Sequence, residues 1–155
     1  MTEKVKDFMG ADHDRLDAIF QEYLRALPKD KAGALRFFAG FKVGLQRHIV
    51  WEEEILFPLF EERTGMKEAG PTAVMRQEHR QIKGFLEEIH DKFGEKNPAA
   101  GEAEEGLLEV LKAHNEKEEN ILYPWIDQSV SEKERAEAFA RMRALPPEKY
   151  NKCCE

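Results

Sequence analysis

The sequence has 155 residues, the length of one ordinary domain, and its 41% hydrophobic and 35% charged residues are typical of a folded helical chain. Its formal net charge of −7 disfavours a general surface for nucleic acid or anionic membranes, because both are polyanions. The two cysteines, Cys153 and Cys154, are adjacent, and no apolar run predicts a signal peptide or a membrane span. We therefore expect a cytoplasmic protein with no nucleic-acid partner and no membrane partner.

Four segments repeat apolar residues at alternating spacings of four and three, which keeps these residues on one face of an α-helix. The segments span residues 9–27, 41–59, 75–93 and 107–125. This spacing is typical of helices that pack along a common seam. We predict four long helices whose seams face one core.

Turn residues separate the predicted helices and set their connectivity. Pro28 and Asp30 lie between the first and second helices, residues 64–71 between the second and third, and residues 94–101 between the third and fourth. Short connections favour antiparallel neighbours. The sequence therefore predicts an all-α fold, an up-down-up-down four-helix bundle.

A short fifth helix is predicted after the four long ones. Ser131 and Glu134 have the spacing of a capping box, which predicts a helix that begins there and ends near Arg143. Two consecutive prolines then stop helical structure. We predict one bundle domain with its C-terminal helix over residues 1–145 and a tail over residues 146–155.

The chain contains an internal duplication. A shift of 66 residues carries His13 onto His79 and His48 onto His114. The same shift carries the Glu-Glu-x-Ile-Leu-aromatic-Pro sequence that follows His48 onto the one that follows His114. We predict two helix-turn-helix halves related by an approximate two-fold axis.

The predicted seam carries polar residues where a bundle core is normally apolar. Each long helix contributes one histidine, and the second and fourth also contribute a glutamate one turn later. These residues are His13, His48, Glu52, His79, His114 and Glu118. A buried ionised carboxylate is unfavourable without a cation, and neutral imidazole nitrogens bind metals directly. We interpret the six as ligands of two metal ions, with a buried polar network as the alternative.

The spacing within the ligand pairs agrees with a two-metal site. His48 and Glu52, like His114 and Glu118, are four residues apart, so each pair lies on one helix face. Each glutamate can then bridge two metals through its two oxygens. We predict about two histidines for each metal, two bridging glutamates and a solvent-derived oxygen. Mixed imidazole and carboxylate ligands suit iron best, with manganese or zinc as alternatives.

This pattern resembles the hemerythrin-like (HHE cation-binding) family. The resemblance rests on the histidines of the first and third helices and on the His-x-x-x-Glu-Glu-x-Ile-Leu-aromatic-Pro sequences that begin at His48 and His114. It implies two iron ions in a non-haem, carboxylate-bridged di-iron centre, with or without an oxo or hydroxo bridge. It also implies that the six residues named above are the ligands, and that the protein binds oxygen or senses oxygen, nitric oxide or iron.

One position departs from the oxygen-carrying hemerythrins, which have a fifth histidine one turn after the third-helix ligand. Lys83 lies at that position, and Asp17 is the related residue of the first helix. The alternatives are an ion pair between these two residues near the metals, Asp17 as an extra ligand, or solvated helix charges. The departure argues against simple reversible oxygen carriage.

Other residues near the seam have two interpretations each. Glu53 and Glu119 follow the predicted bridging glutamates, and they lie either on a solvated face or against a ligand imidazole. Tyr123 is expected in the core or at its rim, with ligation, proton donation or electron donation near the metals as the alternative. His90 is expected on the surface or rim.

We predict a di-iron protein that binds oxygen or nitric oxide without turnover, for sensing, storage or iron and oxygen handling. The first alternative is a di-iron enzyme that acts on oxygen, peroxide or nitric oxide. The second alternative is a metal-free structural bundle. No catalytic residue is assigned, and any protein partner is expected to dock through the C-terminal segment.

Overall fold

The structure, a computed structural model, describes residues 3–93 and 100–151. Within these residues the chain is helical and has no β-strand. The α-helices are α1 (Val5–Ala26), α2 (Lys31–Trp51), α3 (Phe57–Thr64), α4 (Pro71–Lys92), α5 (Glu102–Lys117), α6 (Tyr123–Ser129) and α7 (Glu132–Ala144). The predicted all-α four-helix bundle with a short C-terminal helix is confirmed.

Two of the four long helices contain a π-helical segment. Glu52–Leu56 joins α2 to α3, and Glu118–Leu122 joins α5 to α6. At the end of the first segment, the backbone N–H of Phe57 donates to the carbonyl of Glu52, five residues earlier, and the second segment ends in the same way. A π turn accommodates one extra residue without breaking the helix. The bundle therefore has four long members. Two are the single helices α1 and α4, and the other two are the continuous units α2–α3 and α5–α6.

The helices pack as two hairpins. α1 lies along α2, and α4 lies along α5, so that each hairpin is one half of the sequence duplication. α6 contacts both α1 and α3, which joins the two halves at one end of the bundle. The predicted duplication of helix pairs is therefore confirmed. In the described residues, no helix is long and apolar enough to cross a membrane.

The predicted turn and cap residues begin the helices that follow them. The carboxylate of Asp30 accepts the backbone N–H of Gly33 at 2.9 Å in the first turn of α2. The Ser131 hydroxyl accepts the N–H of Glu134 at 3.1 Å, and the Glu134 carboxylate accepts the N–H of Ser131 at 3.0 Å. The capping box is confirmed, and α7 ends at Ala144, one residue beyond the predicted position.

Some sequence predictions lie outside the described residues. Most of the predicted turn at 94–101 lies there, as do Cys153 and Cys154. The chain after α7 forms a 3₁₀ turn at Pro147–Lys149. The division of the chain into a bundle domain and a tail stays a prediction.

The apolar core consists of two clusters separated along the bundle. One cluster lies near α7 and includes Leu56, Phe60 and Ile126. The other lies toward the opposite end and includes Phe20 and Leu86. Both clusters are closely packed apolar side chains that exclude water. The level between them is where the polar seam residues are buried.

The seam prediction is wrong by one residue within the second π segment and after both segments, whereas Ile55 in the first segment is buried as predicted. Ile121 and Trp125, predicted on the seam, have exposed fractions of 56% and 37%. Leu122 and Ile126 are buried in their place, and Phe60 is buried after the first π segment. The extra residue of the π turn rotates the following helix, so the next residue along the chain faces the core.

Candidate metal centre

The six residues predicted as ligands converge at one level of the bundle. All six side chains are buried, and Glu52 and Glu118 have no exposed surface. Their ligand atoms form two groups, and within each group all atoms lie within 4.8 Å of one another. The first group is Glu52, His79, His114 and Glu118, and the second is His13, His48 and Glu118.

Glu118 belongs to both groups and lies between them. Its Oε1 atom is 3.2 Å from Nε2 of His13 and 3.1 Å from Nε2 of His114. One carboxylate oxygen therefore faces an imidazole from each half of the duplicated chain. This is the position that the spacing predicted for a bridging ligand.

Glu52 has a similar but less symmetrical position. Its Oε1 atom is 3.2 Å from Nε2 of His79 and 3.6 Å from Nε2 of His48. Glu52 thus lies nearer to the first group than to the second, and only Glu118 is shared by both groups. Bridging by both glutamates stays a prediction.

The second ring nitrogen of each histidine, Nδ1, contacts a carboxylate outside the six. The pairs are His13 with Glu119 at 3.2 Å, His48 with Asp12 at 2.8 Å, His79 with Glu53 at 2.6 Å and His114 with Glu78 at 2.9 Å. A carboxylate at Nδ1 favours the tautomer that carries the proton there, and the Nε2 lone pair then faces the cluster. Metal-binding histidines are held in this way.

Two of these four carboxylates were not predicted from the sequence. The imidazole contacts of Glu53 and Glu119 were one of two interpretations, whereas Asp12 and Glu78 were missed. The duplication carried the missing signal, because the 66-residue shift relates Asp12 to Glu78 and each directly precedes a predicted ligand. An acidic residue repeated at equivalent positions beside a ligand is a candidate orienting group.

The surroundings of His48 favour its neutral form. Burial lowers the pKa of His48 to about 4, against the opposing effect of its hydrogen bond with Asp12. Burial also opposes ionisation of Asp12, but its hydrogen bonds with His48 and Arg15 hold the pKa of Asp12 below its usual value. An ionised Asp12 beside a neutral His48 leaves Nε2 of His48 able to bind a cation at neutral pH.

Glu52 and Glu118 are adjacent buried carboxylates, and their negative charges repel each other when both are ionised. Burial and the nearby Glu118 carboxylate raise the pKa of Glu52 well above its usual value, because two adjacent anions repel each other. Oε1 of Glu52, Oε2 of Glu118 and Nε2 of His79 are buried without a hydrogen-bond partner in the described part of the chain. Lone pairs buried without donors fit a site for cations, and the donor set of imidazoles and carboxylates suits iron.

Tyr123 also lies in the cluster, a position that the sequence predicted only as an alternative. Its hydroxyl donates to Oε2 of Glu52 at 2.9 Å. Burial and the neighbouring carboxylates raise the pKa of Tyr123 well above its usual value. The duplication relates Tyr123 to Phe57, whose ring stacks on the imidazole of His79 with centroids 5.9 Å apart. The two halves therefore differ at this position.

A cavity of about 410 Å³ lies beside the cluster, in the gap between α1 and α5. His13 forms one part of its lining, and apolar side chains such as Leu16, Phe20 and Leu111 form its walls. Asp17 lines the same cavity, so it lies near the cluster but outside both groups of ligand atoms. The cavity offers a route by which a small molecule can approach the second group.

The related gap between α2 and α4 is occupied differently. A smaller cavity of about 250 Å³ is lined there by Glu53 and Lys83 together with Lys149 and Tyr150 of the C-terminal segment. Burial opposes ionisation of Glu53, but its hydrogen bond with His79 and the nearby charge of Lys83 hold the pKa of Glu53 below its usual value. Lys83 and Asp17 line different gaps, so the ion pair considered from the sequence is not formed by these described residues.

Burial of four imidazoles and two carboxylates at one level of a four-helix bundle is typical of helical-bundle proteins that have a metal site in the core. The family model of the hemerythrin HHE cation binding domain matches residues 5–126. The chain therefore belongs to the hemerythrin HHE family, as the resemblance predicted.

Comparison with curated proteins shows related chains in a fungus and in bacteria. An uncharacterized hemerythrin-like protein of Schizosaccharomyces pombe is 29% identical over 150 residues, covering 93% of this chain and 71% of that protein. The iron-sulfur cluster repair protein YtfE of Escherichia coli is 28% identical over 106 residues, covering 63% of this chain and 48% of YtfE. YtfE of Edwardsiella ictaluri is 33% identical over 89 residues, covering 52% and 40%. The chain spans about half the length of these YtfE proteins or less, and no solved structure matches it significantly.

Proposed function

We propose that the chain binds two iron ions in the six-residue cluster and presents them to a small diatomic ligand, oxygen or nitric oxide. The role of such binding is sensing, storage, or the handling of iron and oxygen. The observation that carries the proposal is that two groups of buried ligand atoms meet at Glu118, one group from each side of the bundle. Iron bound there supplies open coordination positions and one-electron redox chemistry.

The side chains of the protein prepare the site for cations. Each carboxylate at Nδ1 holds its imidazole with Nε2 directed into the cluster, as Asp12 does for His48 at 2.8 Å. Glu52 and Glu118 direct carboxylate oxygens into the cluster, and Glu118 belongs to both groups of ligand atoms. The apolar clusters above and below keep water from competing for these ligands.

The names of the bacterial relatives support iron handling among these roles. YtfE is named as an iron-sulfur cluster repair protein, and the region of similarity covers more than half of this chain. Lys83 lies at the position where the oxygen-carrying hemerythrins are expected to have a further histidine, which agrees with a role other than oxygen transport. We therefore place uptake or release of iron ahead of oxygen storage.

An enzyme acting on oxygen, peroxide or nitric oxide is the second candidate. The observation that favours it is the cavity of about 410 Å³ beside His13, which exceeds the space that a diatomic molecule needs. Its lining combines apolar side chains with polar and charged ones, among them the acidic groups of Asp17 and Glu116. Such a cavity can hold a larger reactant close to the second group of ligand atoms.

Metal analysis tests the primary proposal. The protein is loaded anaerobically with ferrous salt, desalted and analysed for iron, and the expected result is two iron ions per chain. Glu118→Ala removes the carboxylate shared by both groups and is expected to retain less than two. His90→Ala is the matched control, because His90 is a partly exposed histidine outside both groups. A wild-type protein that retains no iron contradicts the proposal.

Rapid mixing separates the two candidates. The reduced, iron-loaded protein is mixed with oxygen, peroxide or nitric oxide while its absorption spectrum is recorded. A stable adduct that reverses when the gas is removed supports the binding protein. Repeated consumption of excess peroxide or nitric oxide supports the enzyme.

A further inference from the structure

Tyr123 occupies the centre of the second group of ligand atoms. Its side chain is completely buried. The phenol oxygen lies 3.0 Å from Oε1 of Glu118, 3.2 Å from Nε2 of His48 and 3.3 Å from Nε2 of His13. It also lies 2.9 Å from Oε2 of Glu52. Four of the six predicted ligands therefore surround one hydroxyl group.

Hydrogen bonding alone cannot satisfy this arrangement. A phenol carries one proton and can donate one full hydrogen bond. An ionised carboxylate is an acceptor, and an imidazole that donates from Nδ1 to a carboxylate, as His48 does to Asp12, presents a lone pair at Nε2. Even when Glu52 holds a proton of its own, two protons serve the phenol oxygen and its four neighbouring atoms, so lone pairs of oxygen and nitrogen still face one another across the group. A cation among them resolves this repulsion.

The spacing also agrees with ligands around one ion. Two donor atoms that each lie about 2.1 Å from a metal at right angles to each other are about 3 Å apart. The separations of the phenol oxygen from Glu118, His48 and His13, 3.0 to 3.3 Å, have this size. The phenol oxygen is thus placed as a ligand atom rather than as part of the surrounding packing.

We infer that Tyr123 is a seventh ligand, which binds the metal held by His13 and His48 through its phenol oxygen. This inference rests on the proposed metal binding. On binding, the O–H bond is replaced by a metal–oxygen bond, and one proton per phenol is released to solvent. No oxidation or reduction of the tyrosine is required.

Ligation by Tyr123 would make the two metal positions chemically different. The duplication places Phe57 where the first group would need a phenol, and Phe57 has no oxygen to offer. Nε2 of His79, on whose ring Phe57 stacks, has no hydrogen-bond partner in the described residues. The metal held with His13 and His48 therefore gains an anionic oxygen ligand that stabilises the ferric state, and the metal held with His79 and His114 does not.

Optical and resonance Raman spectra of the oxidised, iron-loaded protein test the inference. A phenolate bound to ferric iron gives a visible charge-transfer band, and excitation in that band enhances phenolate ring vibrations. We expect both in the wild-type protein and neither in Tyr123→Phe. Tyr23→Phe is the matched control, because Tyr23 is also buried and donates to Glu104 at 3.0 Å near the opposite end of the bundle. It is expected to keep the wild-type spectrum.

The outcomes distinguish this inference from the proposed function. Wild-type protein with two iron ions and no phenolate vibrations overturns the inference and leaves the metal site standing. Wild-type protein that retains no iron overturns both. If Tyr123→Phe fails to fold, a double variant, Tyr23→Phe with Tyr150→Phe, still decides, because Tyr123 is then the last of the three tyrosines. Phenolate vibrations kept in that variant support ligation by Tyr123, and their absence from wild type refutes it.

Discussion

At the scale of single residues, the hydrogen bond at Nδ1 determines which nitrogen of each histidine faces the cluster. The four carboxylates that provide these bonds come from positions beside the predicted ligands, so the same two stretches of each half supply both the predicted ligands and their orienting groups. Asp12, for example, precedes His13 along α1 but binds His48 of α2. The orientation of one ligand therefore depends on the packing of its neighbour helix.

Replacement of Asp12 by asparagine tests this dependence. Asp12→Asn keeps the size of the side chain but removes the charge that orients His48. Loss of such an outer carboxylate typically costs about 10-fold to 100-fold in metal affinity, and we expect a loss in that range for iron. Competition with a chelator measures the affinity. Asp14→Asn, on the exposed face of α1, is the control, and equal affinities of the two variants would contradict the expected role of Asp12.

The Glu52 and Glu118 pair predicts how the metal-free protein responds to pH. Because the folded protein raises the pKa of Glu52 above its ordinary 4.5, Glu52 keeps a proton that the unfolded chain has already lost. The folded state binds more protons in this range, so its stability decreases as the pH rises toward the raised pKa. As the pH rises above 4.5, we expect the free energy of unfolding to fall less in Glu52→Gln than in wild type.

Urea denaturation of the metal-free proteins at several pH values measures this difference. Glu54→Gln is the control, because Glu54 lies in the same π segment but is exposed. It is expected to retain the wild-type pH dependence. A Glu52→Gln variant with the same pH dependence as wild type would show that Glu52 does not hold the extra proton.

At the scale of helices, the sequence predicts well where the long helices lie. It predicts poorly which residues face the core beyond Glu52 and Glu118. The spacing of apolar residues predicts the seam correctly up to Glu52 and Glu118. Beyond them, a π turn replaces the i to i−4 hydrogen bond by an i to i−5 bond, and the periodic pattern does not show where this exchange occurs. Pro58 and Pro124 mark the place, because each lies just after a π segment and cannot donate a backbone hydrogen bond.

The π turn also explains why Tyr123 was difficult to place. In a regular α-helix, a residue five positions after Glu118 points away from it, because five residues exceed one turn by more than a third. The π segment brings the Tyr123 hydroxyl to 3.0 Å from the Glu118 carboxylate. The sequence showed the residue and its aromatic partner in the duplication, but the change of helical period decided where the ring lies.

The equivalence of the two π segments predicts that the first one tolerates a phenol. Phe57→Tyr adds a hydroxyl where the related segment already carries one, beside buried polar atoms of Glu52 and His79 that lack partners. We expect the metal-free variant to unfold within about 1 kcal/mol of wild type, since the new hydroxyl finds an acceptor. Phe60→Tyr, in the apolar cluster near α7, is expected to lose about 1–3 kcal/mol because its hydroxyl has no such acceptor.

Denaturation of the two variants in urea gives this comparison directly. Both positions are fully buried phenylalanines in α3, so the variants differ in what the added oxygen meets rather than in burial. A loss of stability in Phe57→Tyr as large as that in Phe60→Tyr would show that the two halves are not equivalent around the cluster.

At the scale of the whole molecule, the two duplicated helix pairs differ around the cluster in two respects among the described residues. Tyr123 stands opposite Phe57 inside the bundle. Outside, Lys149 and Tyr150 line the gap between α2 and α4, whereas the gap between α1 and α5 keeps the larger cavity. The duplication could not predict this difference, because the C-terminal segment has no counterpart in the first half of the chain. Both differences single out the side of the cluster that contains His13.

The open gap is therefore expected to be the route to the cluster. Leu111→Trp replaces an aliphatic side chain by a bulky indole ring in the wall of the cavity between α1 and α5. Val50→Trp makes the corresponding change in the gap between α2 and α4. We expect Leu111→Trp to slow the reaction of the reduced, iron-loaded protein with oxygen by about tenfold, within the range over which variants of one site differ in association rate. Val50→Trp is expected to leave the rate near that of wild type. Stopped-flow absorption measures both rates after iron contents are matched, and a slower reaction in Val50→Trp alone would place the route on the side covered by the C-terminal segment.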